Sequence, residues 1–186
     1  MPKITEARIL IMATNGFEQA ELTVPRDKLT EAGAQIDLAS LDGEDIRGWD
    51  ETDWGETVSV QCKISDVVAS NYDAIVLPGG QINPDLLRVE KSALDLLRSF
   101  YDQGKVVAAI CHAPWLLIET GIAKDRKMTS YHSVRTDVEN AGGEWVNESV
   151  VSDNGVVTSR NPKDLDDFVA KIIEEVQEGR HMREAA

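Results

Sequence analysis

Val106–Ile110 reads Val-Val-Ala-Ala-Ile, a continuous apolar run without polar alternation. Such a run is a strand covered on both faces, the pattern of a parallel sheet flanked by helices. Cys111 follows at once, and Trp115, Leu116, Leu117 and Ile118 open a helical pattern within a turn. Buried strand, pivot and helix in this order constrain the chain to an α/β fold. Ala109 stands two residues before the pivot and Ala113 two after. A sharp strand-to-helix bend needs small side chains at those two places, as in the Gly-x-Ser-x-Gly elbow. The bend also sets the sulfur near free backbone N–H groups and the positive end of a helix dipole, and both favour thiolate over thiol. On these local features Cys111 has two readings, a packed core cysteine or a reactive thiol with His112 beside it.

The rest of the chain continues the alternation. Residues 8–13 read as a first buried strand, 14–17 as a loop and 18–32 as a helix stopped by Gly33, with Pro25 marking a kink or a later start. A strand at 35–39 completes a βαβ unit, hence a parallel sheet. Residues 41–60 are polar and acidic and read as a β-hairpin excursion with its return strand at 57–61. Trp49 and Trp54 there pack over the scaffold, line a site or form an oligomer contact, the first being the commoner role of such residues, and Cys62 reads as a small structural residue. A strand at 73–77 runs into Pro78-Gly79-Gly80, glycines that let a backbone or ligand come close. No Gly-x-Gly-x-x-Gly or Gly-Lys-Ser/Thr phosphate loop is present. A helical turn at 66–69 and a helix over 84–103 are expected, the latter with Leu86, Leu87, Leu94, Leu97 and Phe100 facing the core. A short strand near 127–130 and a helix at 134–141 follow. Strands at 145–152 and 156–159 flank Asp153-Asn154-Gly155, a strong hairpin signal. In the last helix Asn161 is the cap, Pro162 the first position and Gly179 the stop; Leu165, Phe168, Val169, Ile172, Ile173 and Val176 form its apolar stripe. Residues 179–186 read as a flexible tail, which makes His181 a poor catalytic candidate.

Composition excludes several classes. A chain of 186 residues with no repeat and no linker suits a single domain over 1–186. The net charge of −14 repels phosphate backbones, so no nucleic-acid partner is expected. No run approaches a membrane span and the N-terminus lacks a signal-peptide pattern, so neither membrane nor secretion is expected. Two cysteines make no disulfide framework, and a cytoplasmic protein with a free thiol fits them. The three histidines are scattered without metal-ligand spacing, so no metal is expected.

In an open parallel sheet, ligands bind beyond the carboxyl ends of the strands. The loops 14–18, 79–84 and 111–113 leave there, which gathers Glu18, Gly80 and Cys111. Glu18 is read as a carboxyl that hydrogen-bonds the thiol or shuttles a proton, or simply as a charge favoured at a helix N-terminus. The backbone N–H groups of Gly80 and His112 form a candidate oxyanion hole. A residue directly after an elbow nucleophile usually points away, so His112 serves as base by folding back or with an orienting carboxylate from elsewhere.

Five segments carry a family resemblance: Phe17-Glu18-Gln19-Ala20-Glu21, residues 73–80, Ala109-Ile110-Cys111-His112-Ala113-Pro114, Thr129-Ser130-Tyr131 and Thr158-Ser159-Arg160. In this order and spacing the chain resembles the ThiJ/PfpI family of intracellular cysteine hydrolases, and its PfpI branch most. The resemblance implies a flavodoxin-like three-layer sandwich, a mostly parallel central sheet with helices on both faces and a peripheral hairpin. It implies Cys111 as nucleophile, Glu18 as its carboxyl partner and His112 as base. Gly79 and Tyr131, inside two of the segments, are the expected substrate-binding positions. In the PfpI branch an acid from an adjacent subunit orients the histidine; Asp85 matches that position, which implies dimers or hexamers. Two departures stand out: Ala113 replaces the usual Gly, and Asp85 is one methylene shorter than the usual Glu. The implied activities are peptide hydrolysis, cofactor-free conversion of methylglyoxal or glyoxal, and deglycation, with small reactive carbonyls or peptides as substrates. The alternative is a redox sensor or holdase chaperone built on an oxidisable Cys111.

Overall fold

The computed structural model describes residues 2–183. Its strands are β1 (Arg8–Met12), β2 (Phe17–Glu18), β3 (Gln35–Ser40), β4 (Ile46–Asp50), β5 (Asp53–Val58), β6 (Cys62–Lys63), β7 (Ala74–Leu77), β8 (Val106–Ile110), β9 (Lys127–Met128), β10 (Glu144–Trp145), β11 (Val150–Asp153) and β12 (Val156–Ser159). Its α-helices are α1 (Gln19–Glu31), α2 (Ile82–Leu87), α3 (Lys91–Asp102), α4 (Pro114–Glu119), α5 (Arg135–Asn140) and α6 (Leu165–Glu178).

Seven strands form the central sheet in the order β11-β12-β8-β7-β1-β3-β6. Every pair is parallel except β11–β12. The period-two alternation of side chains splits the apolar runs between two cores. Leu10, Met12, Ile75, Leu77, Val107 and Ala109 join Leu87, Phe100 and Leu116 on one face. Ile9, Ile11, Val76, Ala108 and Ile110 join Leu22, Leu29, Phe168 and Ile172 on the other. The fold is therefore the expected flavodoxin-like sandwich. A 14-residue helix such as α6 is marginal alone. It is held by buried Leu165, Phe168, Val169, Ile172 and Val176, each contributing about 1.5–3 kcal/mol.

Several local expectations shift. The helix expected over 84–103 is two helices, with exposed Val89 between them. Leu86 lies on the outer face of the short α2 and is exposed, not in the core. Helix α1 runs through Pro25 without interruption, because Pro25 sits on its buried face and packing outweighs the lost N–H bond. The acidic excursion is the antiparallel pair β4–β5, and β4 also pairs with β2 beside the first loop. The return strand ends at Val58, earlier than expected, and Cys62 starts a separate short strand on the edge of the main sheet.

The C-terminal segment up to Arg183 is docked rather than loose. His181 N–H donates to the Gly104 carbonyl at 2.7 Å. Arg183 donates to the carbonyls of Asn154 and Tyr101 at 3.0 and 2.8 Å, and its guanidinium stacks 4.5 Å from the Tyr101 ring. His181 Nε2 also lies 3.2 Å from Glu175 Oε2. The Gly104 and Asn154-Gly155 turns thus form a cradle that nothing in local composition announces. Residues 184–186 of the expected tail lie outside the described residues.

Candidate active site

Cys111 stands at the end of β8 with φ of +65°. A left-handed conformation in a non-glycine residue costs about 1–3 kcal/mol and marks a constrained position. Two backbone bonds hold it: Cys111 N–H donates to the Ser159 carbonyl at 3.0 Å, and Tyr131 N–H donates to the Cys111 carbonyl at 2.8 Å. The Ala113 N–H closes the bend on Ile110 at 3.0 Å. Ala109 and Ala113 are both fully buried, so the steric demand read from the sequence is met with Ala in place of Gly.

Opposite the thiol, the loop after β7 locks into the loop after β1. Glu18 N–H donates to the Gly79 carbonyl at 3.2 Å. Asn83, fully buried, brackets the two loops. Its Oδ1 accepts from Thr14 N–H at 2.7 Å, and its Nδ2 donates to the Pro78 and Gly79 carbonyls at 2.8 and 3.3 Å. A Cβ on Gly79 would fall 2.5 Å from Glu21 Oε2 and 2.6 Å from Cys111 Cβ. Only glycine leaves room for the carboxyl and the thiol to meet. Gly80 has φ of +84°, and a Cβ there would fall 2.7 Å from the Glu18 nitrogen. Both glycines are needed by close approach, as their place after a strand suggests.

The carboxyl against the thiol is Glu21, not Glu18. Glu21 is fully buried, and its Oε2 accepts from Gly79 N–H at 2.9 Å. Glu18 lines the same cavity nearer its mouth and is half-buried. The reason is helical phase. Buried positions on α1 are Glu21, Leu22, Pro25 and Leu29, so Glu21 lies on the face turned to the sheet while Glu18 precedes the first turn. A carboxylate on an otherwise apolar helix face is the signal that would have singled out Glu21.

Burial and the neighbouring Glu21 carboxylate push the Cys111 thiol up, against the expectation of an easily formed thiolate. The N–H groups of Gly80 and His112 reach the sulfur and pull in the other direction. Burial pushes Glu21 itself up to about 8, with Glu18 adding repulsion and the N–H groups of Gly79 and Gly80 opposing. Two adjacent buried acids do not ionise together. With the proton on Glu21, repulsion at the sulfur disappears and the carboxyl becomes a hydrogen-bond donor. The pair therefore carries at most one charge, and a thiolate arises only with Glu21 protonated.

His112 does fold back. Its Nδ1 is 3.1 Å from Cys111 Sγ and its Nε2 is 3.3 Å from Ser133 Oγ. The ring stacks on Tyr131 at 4.8 Å and meets the edge of Trp115 at 5.1 Å. Burial, with a smaller contribution from His132, lowers its pKa and keeps it neutral. Ser133 carried no sequence signal, because it reaches the imidazole only through the turn that follows Tyr131. Asp85 is exposed on α2 and makes no hydrogen bond or ion pair with His112 within this chain among the described residues.

These groups border a cavity of about 410 Å³, with Gly80, Trp49, Glu51 and Tyr131 also in its walls. Trp49 thus faces the cavity, whereas Trp54 is exposed on the hairpin and meets Trp49 edge-on at 5.5 Å. Gly79 lies behind the cavity wall, at the junction of Glu21 and Cys111. Away from this site, Glu175, Glu178 and His181 bring one potential ligand atom each within 4.8 Å, beside the docked C-terminal segment. No helix among the described residues is long and apolar enough to cross a membrane.

A left-handed cysteine at a strand-to-helix bend, flanked by a carboxyl, an imidazole and two N–H donors, defines an α/β protein with a cysteine-centred pocket. The model of the DJ-1/PfpI family matches residues 7–175, and the chain belongs to that family. The Pyrococcus furiosus protein named Deglycase PfpI is 40% identical over 158 residues, covering 85% of this chain and 92% of its own. Deglycase TK1284 of Thermococcus kodakarensis is 39% identical with the same coverage. The crystal structure of Drosophila melanogaster DJ-1beta matches with a TM-score of 0.82 and 31% identity, over 92% of this chain and 94% of its own.

Proposed function

We propose that this protein is a protective cysteine hydrolase that attacks carbonyl carbon in reactive dicarbonyls, their adducts or peptides. The observation that carries the reading is the convergence of Glu21, His112 and the N–H groups of Gly80 and His112 on Cys111. The two deglycase relatives support it. In the reactive state the thiol proton has moved to Glu21 or His112. The thiolate adds to the carbonyl carbon and forms a C–S bond. The oxygen takes the electron pair and is held by the two N–H groups. With a peptide or an amide-like adduct the stored proton passes to the leaving nitrogen as its bond to carbon breaks, and water cleaves the resulting thioester and restores the thiol. With a dicarbonyl, which has no leaving group, the stored proton goes to the oxyanion. The freed base then moves the proton of the hemithioacetal carbon to the adjacent carbonyl carbon, giving a 2-hydroxyacyl thioester that water cleaves in the same way. Tyr131 fixes the imidazole plane by stacking. Glu18 sits at the mouth, where it meets substrate before the thiol does.

Self-association belongs to the same reading. Asp85 is exposed on α2 and free of ion pairs among the described residues, so it is available to a second copy of the chain in a dimer or hexamer. A cytoplasmic location fits a free, non-disulfide thiol.

The test is a steady-state assay of wild type and Cys111→Ser against methylglyoxal, a glycated amino acid and casein, with the mass in solution measured alongside. Loss of turnover in the variant supports the hydrolase. Unchanged rates overturn it, and a peroxide-dependent mass gain at Cys111 without any turnover favours the redox sensor.

A further inference from the structure

The cavity wall is electrostatically one-sided. Glu18, Glu21 and Glu51 contribute three carboxyls, His112 contributes a neutral imidazole, and among the described residues no Lys or Arg side chain lines it. The hairpin's own cation, Arg47, is engaged elsewhere: it donates to the Gly55 carbonyl at 3.0 Å and stacks 5.9 Å from the Trp54 ring. Glu51 stands at the β4–β5 tip with φ of +54°, with its backbone N–H near the Glu18 carboxylate. Asp50 and Glu51 both repel Glu18. At the floor, Glu21 is fully buried and its Oε1 has no hydrogen-bond partner. An unpartnered buried carboxyl oxygen and an acidic mouth lie along one cavity, with the Trp49 indole on its wall. An aromatic ring is an apolar surface that a cation tolerates well.

We infer that the pocket selects carbonyl substrates carrying an ammonium or guanidinium group, and disfavours those carrying carboxylate or phosphate, through Glu18 and Glu51 at its mouth. The inference rests on the proposed function for the reaction at Cys111 but not for the charge selection itself. A positive group near two carboxylates in a partly desolvated pocket gains on the order of tenfold over a neutral analogue, and a negative group loses as much. The preference shrinks with ionic strength, since the mouth is open to salt. The hairpin that carries Trp49, Asp50 and Glu51 is therefore the specificity element, and the elbow is the reactive one.

The test uses three alkylating reagents of similar size: 2-bromoethylamine (cationic), iodoacetamide (neutral) and iodoacetate (anionic). Each forms a thioether at sulfur with loss of halide. Rates at Cys111 are followed by mass spectrometry of its peptide and divided by the rate with N-acetylcysteinamide. We expect a cation-to-anion ratio on the order of 100 at low salt, reduced at least fivefold in the Glu18→Gln/Glu51→Gln variant and in 1 M salt. A ratio near one in wild type, or one unaffected by the double substitution, overturns the inference. A second measurement does not need a reactive thiol. The Trp49 fluorescence component, taken as wild type minus Trp49→Phe, is quenched by caesium and by iodide. Stronger quenching by caesium upholds the charge selection even if Cys111 is inert to all three reagents, in which case only the hydrolase reading falls. Equal or stronger quenching by iodide overturns it.

Discussion

The two cysteines differ in everything except their side chain. Cys62 starts a two-residue strand at the sheet edge, half-buried, with its thiol 3.8 Å from the Leu38 carbonyl. Burial and the nearby Asp37 carboxylate push its pKa up, opposed by Tyr72 and Arg8. Its backbone is unstrained and it lines no part of the Cys111 cavity. Cys111 is more deeply buried and its thiol is also pushed up, yet two N–H donors, an imidazole and a carboxyl surround it. Burial alone therefore does not separate an inert thiol from a reactive one. What separates them is whether groups stand ready to take the proton and receive the oxyanion.

The sharpest way to break that contrast is substitution of each sulfur. Cys111→Ser is expected to lower kcat/KM for methylglyoxal by about a thousandfold or more. Removing the proton store is next: Glu21→Gln should cost about a hundredfold in kcat, read in the same assay. Asn83→Ala leaves the Thr14 N–H and two loop carbonyls without partners. It should lower stability by about 1–3 kcal/mol in urea unfolding and turnover by about tenfold. Cys62→Ser should stay within about twofold of wild type in rate and within about 1 kcal/mol in stability.

Glu21 also predicts a pH dependence of folding. Its folded pKa of about 8 lies above the ordinary 4.5, so the folded state binds the proton more tightly. Its stabilising contribution is complete below about 4.5 and is lost as pH rises through about 8. Within that window stability falls by about 1.4 kcal/mol per pH unit from this group alone. Thermal unfolding between pH 5 and 9 should show the wild-type Tm falling relative to that of Glu21→Gln, which has no such proton. Parallel profiles would refute the assignment.

Much of the architecture was legible along the chain. The run Val106–Ile110 announced a doubly covered strand, and Ala109 and Ala113 announced a tight bend at Cys111. Asn154 and Gly155 announced the β11–β12 turn, where both have positive φ. The family segments led to a match that spans most of the chain. The C-terminal segment was not legible, because its anchors at Gly104, Tyr101 and Asn154 come from two distant turns. Nor was the carboxyl partner: Glu18 and Glu21 are equally acidic in sequence, and only the phase of α1 against the sheet turns one of them toward the sulfur.

Local sequence thus determined which backbone conformations were affordable, since steric bulk and apolar periodicity act between residues close along the chain. Tertiary structure alone decided which ionisable groups share a proton. That depends on burial and on separations of a few ångströms between β8, α1 and the loop after β7, and no spacing along the chain encodes such distances.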